Sequence, residues 1–349
     1  MKKLLFGISI ASVVTLIACG GGGGGSSGAT GFQQTYTVSA AQGELISYSV
    51  NTQNLTYSYN VTRSQYGCEL TSNSCHSENG TLTQNSDKSY SVSGNTSSKF
   101  FALKNGILIG TLKLGSMPAT PIIGIPDPIS TSNVLAGTYN YISAQCAQKT
   151  QGLMTGCHGL YGSLTVTDSG SNSVTYSTCE GDDIENPSRT CTNTTNGTGT
   201  YDPTLRAWKF YRNGSTNENY MVAFTSADGK KIAYLDFNDA GGYGYGQATM
   251  SEKYALQRSY LVAGAGDWFF VNLTPGQDST TWIETVTQDG VVRSNGGTLT
   301  LNTPWDGFAK NSLDARGVMI AAGKDVITFG GYTNLSGDAK YTFATKISQ

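Results

Sequence analysis

Short runs in which polar and apolar residues take turns, each closed by turn-forming residues, dominate the chain from Gln34 onward and point to antiparallel sheet. In the first stretch they are Tyr36 to Ser39, Leu45 to Val50, Leu55 to Val61, Ser89 to Ser93, Phe100 to Leu103 and Ile107 to Leu112. Pro118, Pro121, Pro126 and Pro128 then crowd together, and because proline cannot donate to a sheet ladder, residues 116–133 read as an extended linker. A second unit follows at residues 134–255, with strands expected at Gly137 to Ser143, Tyr161 to Thr167, Ser173 to Cys179, Gly197 to Tyr201, Ala207 to Arg212, Tyr220 to Thr225, Lys231 to Phe237 and Tyr243 to Met250. Residues 256–349 hold six more, and form either a third unit or the second half of the second. The expected fold is all-β, with two or three small antiparallel barrels or sandwiches, the first over residues 34–115.

Composition agrees with that reading. Only 13% of the 349 residues are charged, while 44 are glycine and 20 tyrosine, a balance of strands and turns with very little helix. Without Lys2 and Lys3, which belong to the leader described next, 20 basic side chains face 24 acidic ones. That excess of acid argues against nucleic acid as a partner, which demands clustered Lys and Arg.

Ahead of the strands, Met1-Lys2-Lys3 precedes a run of apolar and small residues from Leu4 to Leu16 that is too short to span a bilayer. Leu16-Ile17-Ala18-Cys19 closes it, followed by glycines from Gly20 to Gly25 and Ser26-Ser27. This stretch resembles the lipobox of bacterial lipoproteins. The resemblance implies cleavage after residue 18, a diacylglycerol on the Cys19 thiol and an acylated amino group, hence a palmitate-type anchor. Since each buried CH₂ contributes about 0.8 kcal/mol, several acyl chains hold a protein to a membrane without a spanning segment. Residues 19–33 then form a flexible Gly/Ser tether. Gly20 is not the aspartate that favours inner-membrane retention, so the resemblance points to the outer membrane, with the cell surface as one of its two faces.

Six further cysteines remain: Cys68, Cys75, Cys146, Cys157, Cys179 and Cys191. In an exported chain they read as disulfides, preferably nearest neighbours, 68 with 75, 146 with 157 and 179 with 191, although sequence leaves other connectivities open. Clips on such short loops stabilise by only about 2 to 3 kcal/mol each, so they order loops more than they hold the fold.

Other chemistry is thin. His76 and His158 each follow a cysteine, but oxidised cysteines offer zinc no thiolate, so no metal is expected there. Asp182 and Asp183, with Glu180 and Glu185, and Asp236 with Asp239, are weak calcium candidates that lack the spacing of a known calcium loop. No arrangement of serine, histidine and aspartate suggests nucleophilic catalysis. Trp208, Trp268, Trp282 and Trp305, with Tyr243 and Tyr245 of the Gly-Tyr alternation, are candidates for a binding surface. A hydrophobic strand, a Gly/Lys turn and a second hydrophobic strand recur at Phe100 to Leu112, Tyr220 to Leu235 and Val318 to Phe329, as a duplicated unit would.

Two function classes follow. The first is a non-enzymatic lipoprotein, needing no cofactor, that presents a binding surface to a protein or glycan, loosely similar to Gram-negative surface lipoproteins built from small β-barrels. The second is a periplasm-facing structural or assembly factor, or a lipocalin-like carrier of an apolar ligand.

Overall fold

A computed structural model describes residues 31–349, apart from 41–42, 64–76, 87, 103–105, 116–118, 151–152, 182–192, 227–228, 240–241, 251–258, 264–267, 276–278, 289–290, 303–305, 312–317, 323–325, 332–339 and 346–349. Side chains of 96, 120–121, 144–160, 180–181, 193, 237–247 and of most residues after 248 are also left undescribed. The strands form three successive closed barrels of eight antiparallel strands each. Neighbours in sequence are neighbours in each sheet, so all three are up-and-down meanders closed by their first and last strands.

Barrel 1 comprises β1 (Gln33–Ala40), β2 (Leu45–Asn51), β3 (Thr56–Arg63), β4 (Ser77–Gln84), β5 (Tyr90–Val92), β6 (Asn95–Ala102), β7 (Leu108–Leu112) and β8 (Thr120–Ile125). Barrel 2 comprises β9 (Gly137–Thr150), β10 (Leu153–Gly170), β11 (Ser173–Gly181), β12 (Asn193–Asp202), β13 (Ala207–Arg212), β14 (Asn219–Thr225), β15 (Lys231–Asp239) and β16 (Gly242–Met250). Barrel 3 comprises β17 (Ser259–Ala263), β18 (Trp268–Pro275), β19 (Ser279–Gln288), β20 (Val291–Leu301), β21 (Phe308–Asn311), β22 (Val318–Ala322), β23 (Val326–Gly331) and β24 (Lys340–Thr345). The last third of the chain is thus a barrel of its own, not the second half of the second unit.

The linker expected at 116–133 needs correction. Residues 120–125 are β8, which closes barrel 1 by pairing with both β7 and β1. Pro121 is tolerated because it lies opposite Thr111 of β7 but past Ile122, the last residue of β8 matched to β1. Residues 126–136 then plug the near end of barrel 2. Arg206 Nη2 donates to the Pro126 carbonyl at 2.7 Å, the Ile129 amide donates to Ala223 O at 2.7 Å, and Trp208 Nε1 donates to Ile129 O at 2.7 Å. One helical turn, α1 (Ser132–Leu135), follows; the Tyr139 hydroxyl donates to Leu135 O, and Lys231 Nζ to Ala136 O at 2.8 Å. Ile129 and Leu135 join the core of barrel 2, so this segment is part of that domain.

An eight-stranded barrel is just wide enough to be filled by side chains. Barrel 1 is filled mainly by rings: Tyr36, Tyr48, Tyr57, Tyr59, Tyr90 and Phe100 are all buried. Tyr48 stacks on Tyr57 and Tyr59 with centroids 5.9 and 6.1 Å apart, and meets Phe100 edge-on at 5.5 Å. Many rings lie over a glycine directly across the strand. A Cβ on Gly80 would sit 3.0 Å from the Tyr57 ring, one on Gly162 2.8 Å from Tyr141, one on Gly197 2.4 Å from Tyr176 and one on Gly199 2.8 Å from Phe210. Register also sets Phe237 opposite Gly244 and Trp282 opposite Gly297. A ring over a glycine covers exposed backbone and lets a strongly curved sheet close, which accounts for the joint abundance of tyrosine and glycine.

Burial holds these phenols neutral. The hydroxyls of Tyr36, Tyr48, Tyr57, Tyr59, Tyr139 and Tyr220 all titrate above the ordinary 10.0, chiefly through desolvation. A raised folded-state value means stability is fully present below pH 10 and lost as pH climbs beyond it. Tyrosinate absorbance and circular dichroism followed together should therefore change in one cooperative alkaline step. Gradual ionisation of these phenols with the sheet signal intact would contradict this.

The barrels meet head to tail. The hairpin of sixth and seventh strands, β14 and β15, lies against β8 and β1; β22 lies against β16 and β9; β7 lies against β17, beside contacts of β24 with β8. Each joint thus sets the sixth or seventh strand of one barrel on the first or eighth of another, and the three joints close a pseudo-threefold ring. Outer-face residues buried along these strands include Ile109, Ile123, Ile125, Val222, Phe224, Ile142 and Asp236. The three sequence echoes fall on β6–β7, β14–β15 and β22–β23, the same station in every barrel, as expected of a repeated unit.

Candidate interaction surface

Polarity along the barrel axes organises the candidate residues. Gly31 and Phe32, just before β1, lie against the β2–β3 turn: the Phe32 amide donates to Thr52 Oγ1 at 2.8 Å and the Thr52 amide to Phe32 O at 2.8 Å. This is the near end of barrel 1. β3 finishes and β4 begins at the opposite, far end, so the connection bearing Cys68 and Cys75 springs from there; both cysteines lie outside the described residues.

Barrel 2 has the same polarity. Its near end carries the plug, and its far rim carries the β9–β10 hairpin, the β11–β12 connection and the β13–β14 and β15–β16 turns. Arg63, at the far end of β3, places its guanidinium 5.6 Å from the ring centre of Tyr220 at the start of β14, which brings the two far ends together. Tyr220 and Tyr211 both donate hydroxyls to the Glu218 carboxylate, the latter at 2.9 Å. The bond from Tyr220, supported by Tyr211, Lys209 and Arg63, holds Glu218 below the usual carboxylate range against the effect of burial. A second carboxylate, Glu78, is gripped alike by Tyr57 and Tyr59 inside barrel 1.

Cys146 and Cys157 are directly opposite in the β9–β10 ladder. Opposed residues in antiparallel strands have Cα atoms about 4.5 to 5.5 Å apart, within the range a disulfide spans. β16 accompanies β9 only as far as Cys146, opposite Tyr243, and β11 joins β10 only from Tyr161. Residues 147–150 and 153–156 therefore continue as a two-stranded arm reaching about 14 Å past the two cysteines, at roughly 3.4 Å per residue. Cys179, at the far end of β11, is disulfide-bonded; Cys191 lies outside the described residues. The connections holding Cys68 and Cys75 in barrel 1 and Cys191 in barrel 2 both follow the third strand of their barrel.

Several expectations change here. Trp208 is fully buried in barrel 2 and bonded to the plug, so it is removed from the binding-surface candidates. Asp236 and Asp239, the weak calcium candidates, both belong to β15 rather than to a loop. Asp236 is 1% exposed, on the outer face turned toward barrel 1. Among the described residues no three His, Cys, Asp or Glu side chains gather as a metal site would require. Tyr243 and Tyr245 lie at the far rim by register, Tyr245 opposite Asp236. Trp268 begins β18 opposite Ala263, and Trp282 lies in β19 opposite Leu273. Cys19, His76, Asp182, Asp183 and Trp305 fall outside the described residues; His158 is opposite Gln145 at the base of the arm. Sequence reasoning missed the arm, whose residues 147–156 show no alternation.

These features define a class: tandem up-and-down barrels, the second of which carries Cys146, Cys157 and Cys179 at its far end. No protein-family model, curated protein or solved structure matches the chain.

Proposed function

We propose that this chain is a lipid-anchored lipoprotein of the cell envelope, acting without catalysis, whose far end meets a protein or glycan partner. The observation that supports it is the polarity just described: Gly31 lies at one end, and the arm, Cys146, Cys157 and Cys179 lie at the other. An anchor on Cys19 would thus turn the near ends toward the bilayer and hold the far rim away from it. In this reading disulfides between 68 and 75, 146 and 157, and 179 and 191 stiffen what the partner touches. The carrier alternative gains nothing from barrel 1, whose interior is occupied by rings.

Metabolic labelling with an alkyne palmitate tests the anchor. The wild-type protein should take up label and pellet with outer membranes, and Cys19→Ser should lose both properties. Equal labelling of the two would end the proposal. Protease treatment of intact cells then separates a surface-exposed far end from one facing the periplasm.

A further inference from the structure

Five asparagines stand directly before a glycine: Asn79, Asn105, Asn196, Asn213 and Asn295. In such a pair no side chain on the second residue blocks its amide nitrogen from the asparagine side-chain carbon, so the fold decides which pairs react. Asn105 lies outside the described residues. Three of the others are locked into ladders. Asn196 and Gly197 lie opposite Ser177 and Tyr176 of β11, and a Cβ on Gly197 would stand 2.0 Å from the Tyr211 carbonyl. Asn79 and Gly80 lie opposite Ser58 and Tyr57 of β3, with the Tyr57 ring over the glycine. Asn295 and Gly296 lie opposite Glu284 and Ile283 of β19.

Asn213 is placed differently. Arg212-Asn213-Gly214-Ser215 forms a tight turn where β13 ends at the far rim, closed by the Ser215 amide donating to the Arg212 carbonyl at 2.9 Å. A second bond, from the Asn213 amide to the Asn196 carbonyl at 2.9 Å, ties the turn to β12. The central peptide, which joins Asn213 to Gly214, takes part in neither bond. Both residues are exposed, Gly214 has a φ of 80°, and nothing would lie within 4 Å of a Cβ on it. That peptide can therefore rotate without breaking either bond or striking a neighbour. Such a rotation carries the Gly214 nitrogen toward Asn213 Cγ.

We propose that Asn213 is a self-modification site, converting with time to aspartate and isoaspartate. The Gly214 nitrogen loses its proton to hydroxide and bonds to Asn213 Cγ; the bond from Cγ to the side-chain nitrogen breaks, and ammonia leaves a five-membered succinimide. Water then opens the ring. Breaking the bond from nitrogen to Cγ gives aspartate, and breaking the bond from nitrogen to the main-chain carbonyl gives isoaspartate, with one extra carbon in the backbone. The net change consumes one water and releases one ammonia. Either product adds a carboxylate to the rim that carries Cys179 and the arm, so this surface gains negative charge as the molecule ages. The inference goes beyond the envelope role proposed above and does not rest on it.

Ageing the full-length protein in warm, mildly alkaline detergent buffer tests it, beside a sample unfolded in guanidinium. Peptide mass mapping reads conversion at each asparagine, and methylation by a protein isoaspartate methyltransferase reads the isoaspartate product. In the folded protein Asn213 should convert at close to its unfolded rate, while Asn79, Asn196 and Asn295, which react only from opened states, should be slowed about tenfold or more. Asn213→Gln should remove most of the methylation of the folded protein and leave melting unchanged. Conversion of folded Asn213 no faster than that of the three ladder asparagines, or methylation that survives Asn213→Gln, overturns the proposal.

Discussion

Replacement of Trp208 by alanine should unseat the plug of barrel 2 and lower its stability by about 3 to 5 kcal/mol, the usual result of emptying a large aromatic site in a core. Two losses combine. The indole is fully buried among Tyr201, Phe210 and Met221, and its Nε1 is the donor that satisfies the Ile129 carbonyl. Without it that carbonyl is buried and unpaired, a further destabilisation of about 1 to 3 kcal/mol unless the segment lets go. Letting go would free the chain between barrels 1 and 2, so amide exchange should rise first at Ile129, whose N–H is bonded to the Ala223 carbonyl, ahead of the barrel strands. Melting should fall on the order of 15 °C. A variant that melts like wild type with the Ile129 amide still protected would show that the plug is held by something other than this ring.

The second large effect is expected at Gly197. A methyl there would stand 2.0 Å from the Tyr211 carbonyl and 2.4 Å from the Tyr176 ring. The ring can swing aside, but the carbonyl belongs to the β12–β13 ladder and cannot. Gly197→Ala should therefore cost about 3 kcal/mol or more, at the upper end of overpacking effects. Adding Tyr176→Ala should recover only part, because the carbonyl clash stays, and the two changes will not add independently. Gly214→Ala is the control: nothing lies within 4 Å of its added methyl, and only its positive φ of 80° is strained, so the loss should be about 1 to 2 kcal/mol. Comparable melting of the two alanine variants would refute the account of close packing over glycine.

Much of the fold was legible from alternation, and the exceptions have separate causes. All eight strands of barrel 2 were visible, since inward positions such as Leu164, Val166 and Val174 are aliphatic and their neighbours polar. β4 was not, because its inward positions include Glu78 and Gly80; the volume there is supplied by Tyr57 and Tyr59 from β3, and no pattern within β4 records it. β8 was concealed by its prolines, which read as a linker although the ladder with β1 begins just past Pro121. Trp208 illustrates the ambiguity of an aromatic residue in a strand, which serves a core or a surface equally well until the neighbouring segment is known. The far rim was legible only in pieces: cysteines and tyrosines were flagged one by one, and the closure of the meander brought Cys146, Cys157, Cys179 and Tyr243 to one end.

The ring of barrels also sets an order on synthesis. Barrel 1 leaves the ribosome first with Ile123 and Ile125 on the outer face of β8 and Ile109 on that of β7, all of which are buried in the finished molecule. β14 covers part of this face only after two-thirds of the chain has been made, and β17 and β24 reach β7 and β8 only with the last barrel. Until then the nascent protein carries an apolar flank along a sheet, a segment that holding chaperones bind and that aggregates when left bare. A chain stopped after barrel 2 would keep part of that flank uncovered for good, so quality control has a means of telling a truncated molecule from a complete one.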